Sequence, residues 1–207
     1  MLVFETIKKL QQHLSSASIE RNIGFVPTMG ALHDGHLSLI EKAKTENELV
    51  VVSIFVNPTQ FNNADDLINY PKTIEADLKH LKNIDCDVVF TPSPKEMYGD
   101  ISVAEKFDFE GLENQMEGAF RTGHFDGVGT IVKRLFEVVK PTNAYFGEKD
   151  FQQLQIIRKL VEKFNIPVNI HGCDIFREDD GLAMSSRNVR LTTEERKEVP
   201  FIYSVLQ

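Results

Sequence analysis

The run Leu49-Val50-Val51-Val52-Ser53-Ile54-Phe55-Val56 limits the fold more than any other part of the chain. Its apolar, β-branched residues are consecutive rather than alternating, so both faces of the strand they form must be covered, as in the centre of a parallel sheet. Parallel neighbours need crossover connections, usually helices, and the rest of the sequence supplies them. Ile7, Leu10 and Leu14 predict a helix over residues 6–14, and Leu37, Ile40, Ala43 and Lys44 a second that ends near Asn47. Further helices are expected at residues 73–82, 128–139 (closed by Pro141) and 151–164, with a last one opened by the capping-box pattern Thr192-Thr193-Glu194-Glu195. Ile23-Gly24-Phe25-Val26-Pro27, Asp87-Val88-Val89-Phe90, Asn143-Ala144-Tyr145-Phe146-Gly147 and Val168-Asn169-Ile170 read as the other strands. This alternation predicts an α/β doubly wound parallel sheet with right-handed crossovers. Residues 98–127, with Gly111, Gly118, Gly123 and Gly127, are the least regular region and read as a functional excursion.

A chain of 207 residues, 42% hydrophobic and 26% charged, buries a core without disulfides or metals to staple it. Its formal charge of -8 argues against binding to nucleic acid or to a membrane surface. Cys86 and Cys173 match neither a disulfide framework nor a metal-binding spacing, and are expected as buried thiols of a reducing compartment. Residues 1–9 lack a signal-peptide pattern, and the longest apolar run is too short to span a bilayer. A cytoplasmic protein is therefore expected.

In doubly wound sheets, ligands bind beyond the carboxyl ends of strands, where loops enter helix N-termini. Three chemically loaded segments fall at such places. In the first, His33-Asp34-Gly35-His36, two histidines three residues apart share the first turn of a helix, toward the positive end of its dipole. Backbone N–H groups, imidazole donors and the small residues Gly30 and Gly35 suit nucleotide phosphates. The same residues could be surface histidines or half of a metal site. Zinc wants three or four protein ligands, however, and no third histidine or cysteine stands nearby, so no protein-held metal is expected. In the second, Gly147-Glu148-Lys149-Asp150, a lysine is placed to neutralise phosphate and an aspartate to accept from ribose, although the segment by itself fits an exposed turn capped by Asp150 better. In the third, Met184-Ser185-Ser186-Arg187-Asn188, hydroxyls and a guanidinium make a phosphate-binding set or a solvated loop.

Taken with Pro27-Thr28-Met29-Gly30-Ala31-Leu32, Val56-Asn57-Pro58-Thr59-Gln60-Phe61, Gly123-His124-Phe125-Asp126-Gly127-Val128 and Phe151-Gln152-Gln153, these segments resemble, in order and spacing, the signature series of the pantothenate synthetase (pantoate–β-alanine ligase) family. H-x-G-H is common to a broad nucleotidyltransferase superfamily; the strings around Asn57 and Lys149 are more specific. The resemblance covers essentially the whole chain. It implies a Rossmann-like domain of the nucleotidyltransferase type, a cytoplasmic homodimer, and condensation of pantoate with β-alanine through a pantoyl adenylate, with ATP as substrate and Mg²⁺ beside it. It also assigns ATP to Met29, Gly30, Ala31, Leu32, His33, Asp34, Gly35 and His36, to Gly147, Glu148, Lys149 and Asp150, to the backbone of Phe176, and to Met184, Ser185, Ser186 and Arg187. His36, His33, Lys149 and Arg187 would be catalytic, with His36 a proton donor. Gln60 and Gln153, with Asn57 and Met29, would bind pantoate and β-alanine. Ser186 replaces the lysine common in the superfamily's second signature, which shifts phosphate neutralisation onto Lys149 and Arg187.

The residues support a mechanism of positioning and charge neutralisation, since the pantoate carboxylate and the ATP α-phosphate are both anions. Met29 and Phe61, with Val128, Ile131 and Val132, would wall the two methyl groups of pantoate; plain core packing explains those aliphatics as well. The reading divides the chain into a catalytic domain over residues 1–188 and, over residues 189–207, a hinge helix at the start of a C-terminal lid domain that is largely missing, so coupled turnover is expected to be weaker than binding. Two other functions fit parts of the sequence: a nucleotidyltransferase with a phosphorylated acceptor, and a nucleotide-binding subunit without activity.

Overall fold

The computed structural model describes residues 1–17 and 21–207. In chain order the elements are β1 (Leu2–Phe4), α1 (Ile7–Ala17), β2 (Ile23–Thr28), α2 (Asp34–Glu46), β3 (Leu49–Ile54), α3 (Ala64–Ile68), α4 (Ile74–Asn83), β4 (Val88–Phe90), α5 (Pro94–Tyr98), α6 (Met116–Phe120), α7 (His124–Val139), β5 (Asn143–Gly147), α8 (Phe151–Phe164), β6 (Asn169–Cys173), α9 (Thr193–Glu198) and α10 (Phe201–Leu206). The strands form one sheet in the order β1-β4-β3-β2-β5-β6, and every pairing is parallel.

The expected central strand is there, and its alternation shows why both faces had to be apolar. Leu49 and Val51 pack into one layer, with Leu10 and Leu14 of α1, Leu135 of α7 and Ile157 of α8. Val50 and Val52 pack into the opposite layer, with Ile40 and Ala43 of α2 and Leu81 of α4. β2, β4 and β5 divide in the same way: Phe25, Phe90 and Phe146 face the first layer, and Val26, Val89 and Tyr145 the second. Cys86 and Cys173 are buried free thiols.

Three differences from the sequence reading have physical causes. The sheet gains an edge strand, β1, whose three residues are too few and too exposed to leave a periodic signature; among the described residues it pairs with β4 alone. The central strand ends at Ile54, although the Phe55 N–H still reaches the Thr28 carbonyl at 3.0 Å, because the Asn57-Pro58 corner starts a 3₁₀ turn. The last helical region, opened by the expected capping box on Thr192 and Glu195, is divided at Pro200 into α9 and α10.

β2 pairs with β3 on one side and β5 on the other. The connection leaving β2 goes to α2 in one layer, and the one leaving β5 goes to α8 in the other. Beyond the carboxyl ends of these two strands the chain therefore parts, which is where such sheets bind ligands.

Candidate active site

The loop after β2 is pinned before it reaches the histidines. Gly30 (φ +80°) and Ala31 (φ +50°) adopt consecutive left-handed conformations, the second a costly one for a residue with a side chain. Asp77 of α4, only 2% exposed, holds the turn: its carboxylate accepts from the Ala31 N–H at 3.0 Å, the Leu32 N–H at 2.8 Å and the Thr73 hydroxyl at 3.2 Å. The chain then enters α2 with His33 as N-cap and His36 in the first turn, their rings 4.0 Å apart. His36 Nδ1 accepts from the His33 backbone N–H at 3.3 Å. A neutral imidazole accepting through Nδ1 carries its proton on Nε2, so His36 offers an N–H donor. Burial, then the neighbouring His33 and Lys149, lower its pKa to about 3, so it donates as a neutral group at physiological pH. Burial and Lys149 also lower the pKa of His33.

From β5 the chain turns through residues 148–150 into α8. Asp150 is the N-cap of α8 but makes no capping hydrogen bond with its side chain; its carboxylate lies 3.1 Å from Lys149 Nζ. The third segment approaches from beyond β6. The Met184 N–H donates to the Phe176 carbonyl at 3.0 Å, which closes the hairpin-like stretch that brings Ser185, Ser186 and Arg187 back over the strand ends. Arg187 is anchored on Asp66 of α3 at 2.8 Å, with its guanidinium 5.6 Å from the Tyr70 ring centre, and Ser186 Oγ lies 3.3 Å from the Tyr70 hydroxyl. The arginine pairing lowers the pKa of Asp66.

These segments enclose two adjoining cavities. One, of about 190 Å³, has Val128, Ile131, Val132 and Leu135 of α7 on one side, Met29, Asn57 and Gln60 at the ends of β2 and β3, and Ser185, Ser186 and Arg187 on its rim. The other, of about 120 Å³, lies between Gly35, Gly147, Phe176 and Met184. His33, His36, Lys149, Asp150 and Gln153 line both. The residues singled out in the sequence thus converge, with qualifications. Gly30, Ala31, Leu32, Asp34 and Glu148 line neither cavity, and the Leu32 side chain belongs to the core layer beneath α2. Asn57, 1% exposed, directs its polar atoms at protein groups. Phe61, expected at the methyl wall, packs instead against Tyr70, with ring centres 5.7 Å apart.

Sequence reasoning missed Asp77, Asp66, Tyr70 and Tyr98. For Asp77 a signal existed: Ile74, Asp77, Leu78 and Leu81 follow the i, i+3, i+4, i+7 spacing, which puts a carboxylate on the inward face of α4. The others reach the site through the tertiary fold and left no such trace.

A parallel sheet whose order reverses between β2 and β5, with paired imidazoles and a lysine at that crevice, defines a doubly wound nucleotide-binding domain of the nucleotidyltransferase type. Comparison with known proteins narrows this. The family model described as pantoate-beta-alanine ligase matches residues 2–207. The pantothenate synthetase of Christiangramia forsetii is 56% identical over all of this chain and 74% of its own length, and that of Flavobacterium psychrophilum is 53% identical with the same coverage. Among solved structures, the Francisella tularensis pantoate-beta-alanine ligase, determined with beta-gamma ATP and beta-alanine, superposes with a TM-score of 0.94 at 45% identity, covering all of this chain and 79% of that one. The Thermus thermophilus pantothenate synthetase gives 0.92 at 44% identity, with 73% of its length covered. The chain belongs to the pantoate-beta-alanine ligase family.

Proposed function

We propose that this chain joins pantoate to β-alanine at the expense of ATP, forming pantothenate, AMP and pyrophosphate through a pantoyl adenylate. The observation that carries the reading is the pair of adjoining cavities with one polar wall between them. The first offers aliphatic side chains for a branched carbon skeleton and the amides of Gln60 and Gln153 for hydroxyl and carboxylate oxygens. The second, beside Gly147 and Phe176, suits a nucleoside. The groups common to both, His33, His36 and Lys149, lie where a carboxylate would meet an α-phosphate.

In the first step a carboxylate oxygen of pantoate attacks the α-phosphorus and the bond to the β-phosphate oxygen breaks, releasing pyrophosphate. Lys149 supplies positive charge, and His36 donates from Nε2 to a non-bridging or leaving oxygen without itself titrating. Arg187, held by Asp66, closes the phosphate side. Among the described residues no group of three or more His, Cys, Asp or Glu side chains could hold a metal ion. Mg²⁺ would enter with the ATP phosphates and neutralise part of their charge, and Asp150, which lines both cavities, is the carboxylate that would help hold it. In the second step the neutral amine of β-alanine attacks the acyl carbon, the bond to AMP breaks, and the nitrogen gives up a proton to the departing AMP phosphate. In this reading Gln60 serves both acids, and the aliphatic wall from α7 would shield one side of the anhydride from water.

The reading takes the chain as a cytoplasmic homodimer, as its family likeness suggests; no helix among the described residues is long and apolar enough to cross a membrane. The test is pyrophosphate release by the 207-residue chain with ATP and candidate acids, together with mass detection of pantothenate when β-alanine is added. Dependence on pantoate is expected. Release that depends on a phosphorylated acceptor instead, or nucleotide binding with no turnover at any enzyme concentration, would overturn it.

A further inference from the structure

Gln60 meets the acid cavity in one orientation, and that orientation is decided outside the cavity. The side chain of Asn57 sits between two backbone groups of unchangeable polarity. Its Oδ1 accepts from the Thr59 N–H at 3.4 Å, and its Nδ2 donates to the Gly127 carbonyl at 3.1 Å. Turning the amide over would oppose donor to donor and oxygen to oxygen at 1% exposure, where water cannot repair the mismatch. Tyr98, the last residue of α5, reinforces the choice by donating its hydroxyl to the same Oδ1 at 2.6 Å, and the Thr59 hydroxyl adds a contact at 3.0 Å. Asn57 Nδ2 also donates to Gln60 Oε1 at 2.9 Å. The Gln60 oxygen is thereby turned toward Asn57 and its NH₂ toward the cavity, where it meets Met29 Sδ at 3.3 Å, a weak acceptor.

The backbone beneath Gln60 has no slack to undo this arrangement. Its carbonyl accepts from His124 Nδ1 at 2.7 Å and from Arg121 at 3.4 Å. Gly127 packs so closely that a Cβ there would lie 2.6 Å from Gln60 Cα.

We infer that Tyr98 and Asn57 form a polarity relay that makes Gln60 an obligate hydrogen-bond donor, so that the acid subsite selects a ligand presenting an acceptor oxygen at that point. Tyr98 and Asn57 are positioning residues, acting through Gln60. The inference rests on the functional reading above for the identity of the acid, and adds which polarity of contact the site demands. A donor in this place suits an anionic or ether-like oxygen and opposes a ligand that offers N–H there.

The test is the affinity for pantoate by calorimetry, with KM values for pantoate and ATP measured separately, in Asn57→Asp and Tyr98→Phe. The introduced carboxylate has no donor for Gln60, so the glutamine amide must reverse and set its oxygen against the acid. Loss of a hydrogen bond to a charged group predicts pantoate binding weaker by about 10–100-fold, with the KM for ATP changed by less than about twofold. Tyr98→Phe removes one of the donors onto Oδ1 and leaves Thr59 in place, so a smaller loss of about 2–5-fold, again confined to pantoate, is expected. Should Asn57→Asp fail to fold, the Tyr98 variant decides. Unchanged pantoate affinity in the folded variants, or equal losses for pantoate and ATP, would overturn the relay while leaving the proposed reaction standing. An unaltered chain that neither binds nor uses pantoate would bring down both.

Discussion

Asp77→Asn is the most informative single change to this fold, because it alters one atom of a side chain that no substrate need touch. The carboxylate divides its oxygens between two backbone donors, Oδ2 for Ala31 and Oδ1 for Leu32, and takes the Thr73 hydroxyl as well. Asparagine has the same shape but only one acceptor oxygen, so either Ala31 or Leu32 faces an NH₂ group. One charge-assisted hydrogen bond is lost and a buried N–H is left unsatisfied, a combined cost of about 2–3 kcal/mol. For a chain of this size each kcal/mol lowers Tm by about 2–4 °C, which puts the expected fall at about 4–12 °C. The same change loosens the left-handed pair Gly30–Ala31, leaving the local bond from the Gly30 N–H to the Thr28 hydroxyl as its remaining hold on that side. Met29 precedes that pair and His33 follows it after Leu32, so the rate of pyrophosphate release should fall as well, by about tenfold or more, as expected of displacements near an ångström. Thermal unfolding followed by circular dichroism, paired with the pyrophosphate assay, measures both. A Tm within about 1 °C of the unaltered chain would show that Asp77 does not hold the loop.

Gly127→Ala should be poorly tolerated, since its Cβ would lie 2.3 Å from the Thr59 carbonyl oxygen and the backbone at residues 59–60 would have to move; a destabilisation of about 1–3 kcal/mol is expected by urea titration, and an unchanged midpoint would refute it. His36→Ala should slow pantoate-dependent pyrophosphate release by about 10²–10⁴-fold if its Nε2–H donates in the transition state, and an unaffected rate removes it from the chemistry. Stability should decline on acidification. The unfolded chain binds a proton at His36 below its ordinary pKa of 6.5 whereas the folded chain does not until about 3, so the contribution is full above pH 6.5 and is lost between 6.5 and 3, at up to about 1.4 kcal/mol per pH unit. His33 and His124, lowered chiefly by burial, act in the same direction, and a urea midpoint that does not move between pH 7.5 and 5 would contradict all three.

What was legible in the sequence depended on whether neighbours in the chain were also neighbours in space. Val50, Val51 and Val52 announce a two-sided strand because each must find a layer, and they do. His33 and His36 announce a joint role because an N-cap residue and the third residue of its helix lie side by side, here with rings 4.0 Å apart. Arg187, by contrast, is separated by 121 residues from the Asp66 that anchors it, and nothing in either segment signals the other. Asn57 shows a subtler limit. Its place beside Gln60 in a motif suggested a ligand contact, whereas its atoms are committed to Thr59, Gly127, Tyr98 and Gln60. The sequence marks such a residue as important without distinguishing contact from support.

The sheet order explains why segments so far apart in sequence had to meet. β2 is the strand from which the two halves of the sheet diverge, so its exit loop and that of β5 are adjacent in space yet lead to opposite layers. A crevice between them follows from the topology, before any side chain is chosen. Two requirements then conflict within it. The crevice must collect positive charge to bring a carboxylate onto a triphosphate, and it must be dry enough to protect an anhydride. Burying several cations together would be costly, and the structure divides the tasks. His36, the most enclosed of these groups, is held neutral and contributes a donor. The charge is carried by Lys149, partly exposed beside Asp150, and by Arg187 at the rim, paired with Asp66. Charge at the mouth and neutral donors at depth are what a site must have if its interior is to exclude water, and that gradient is the property the His36 and pH experiments examine.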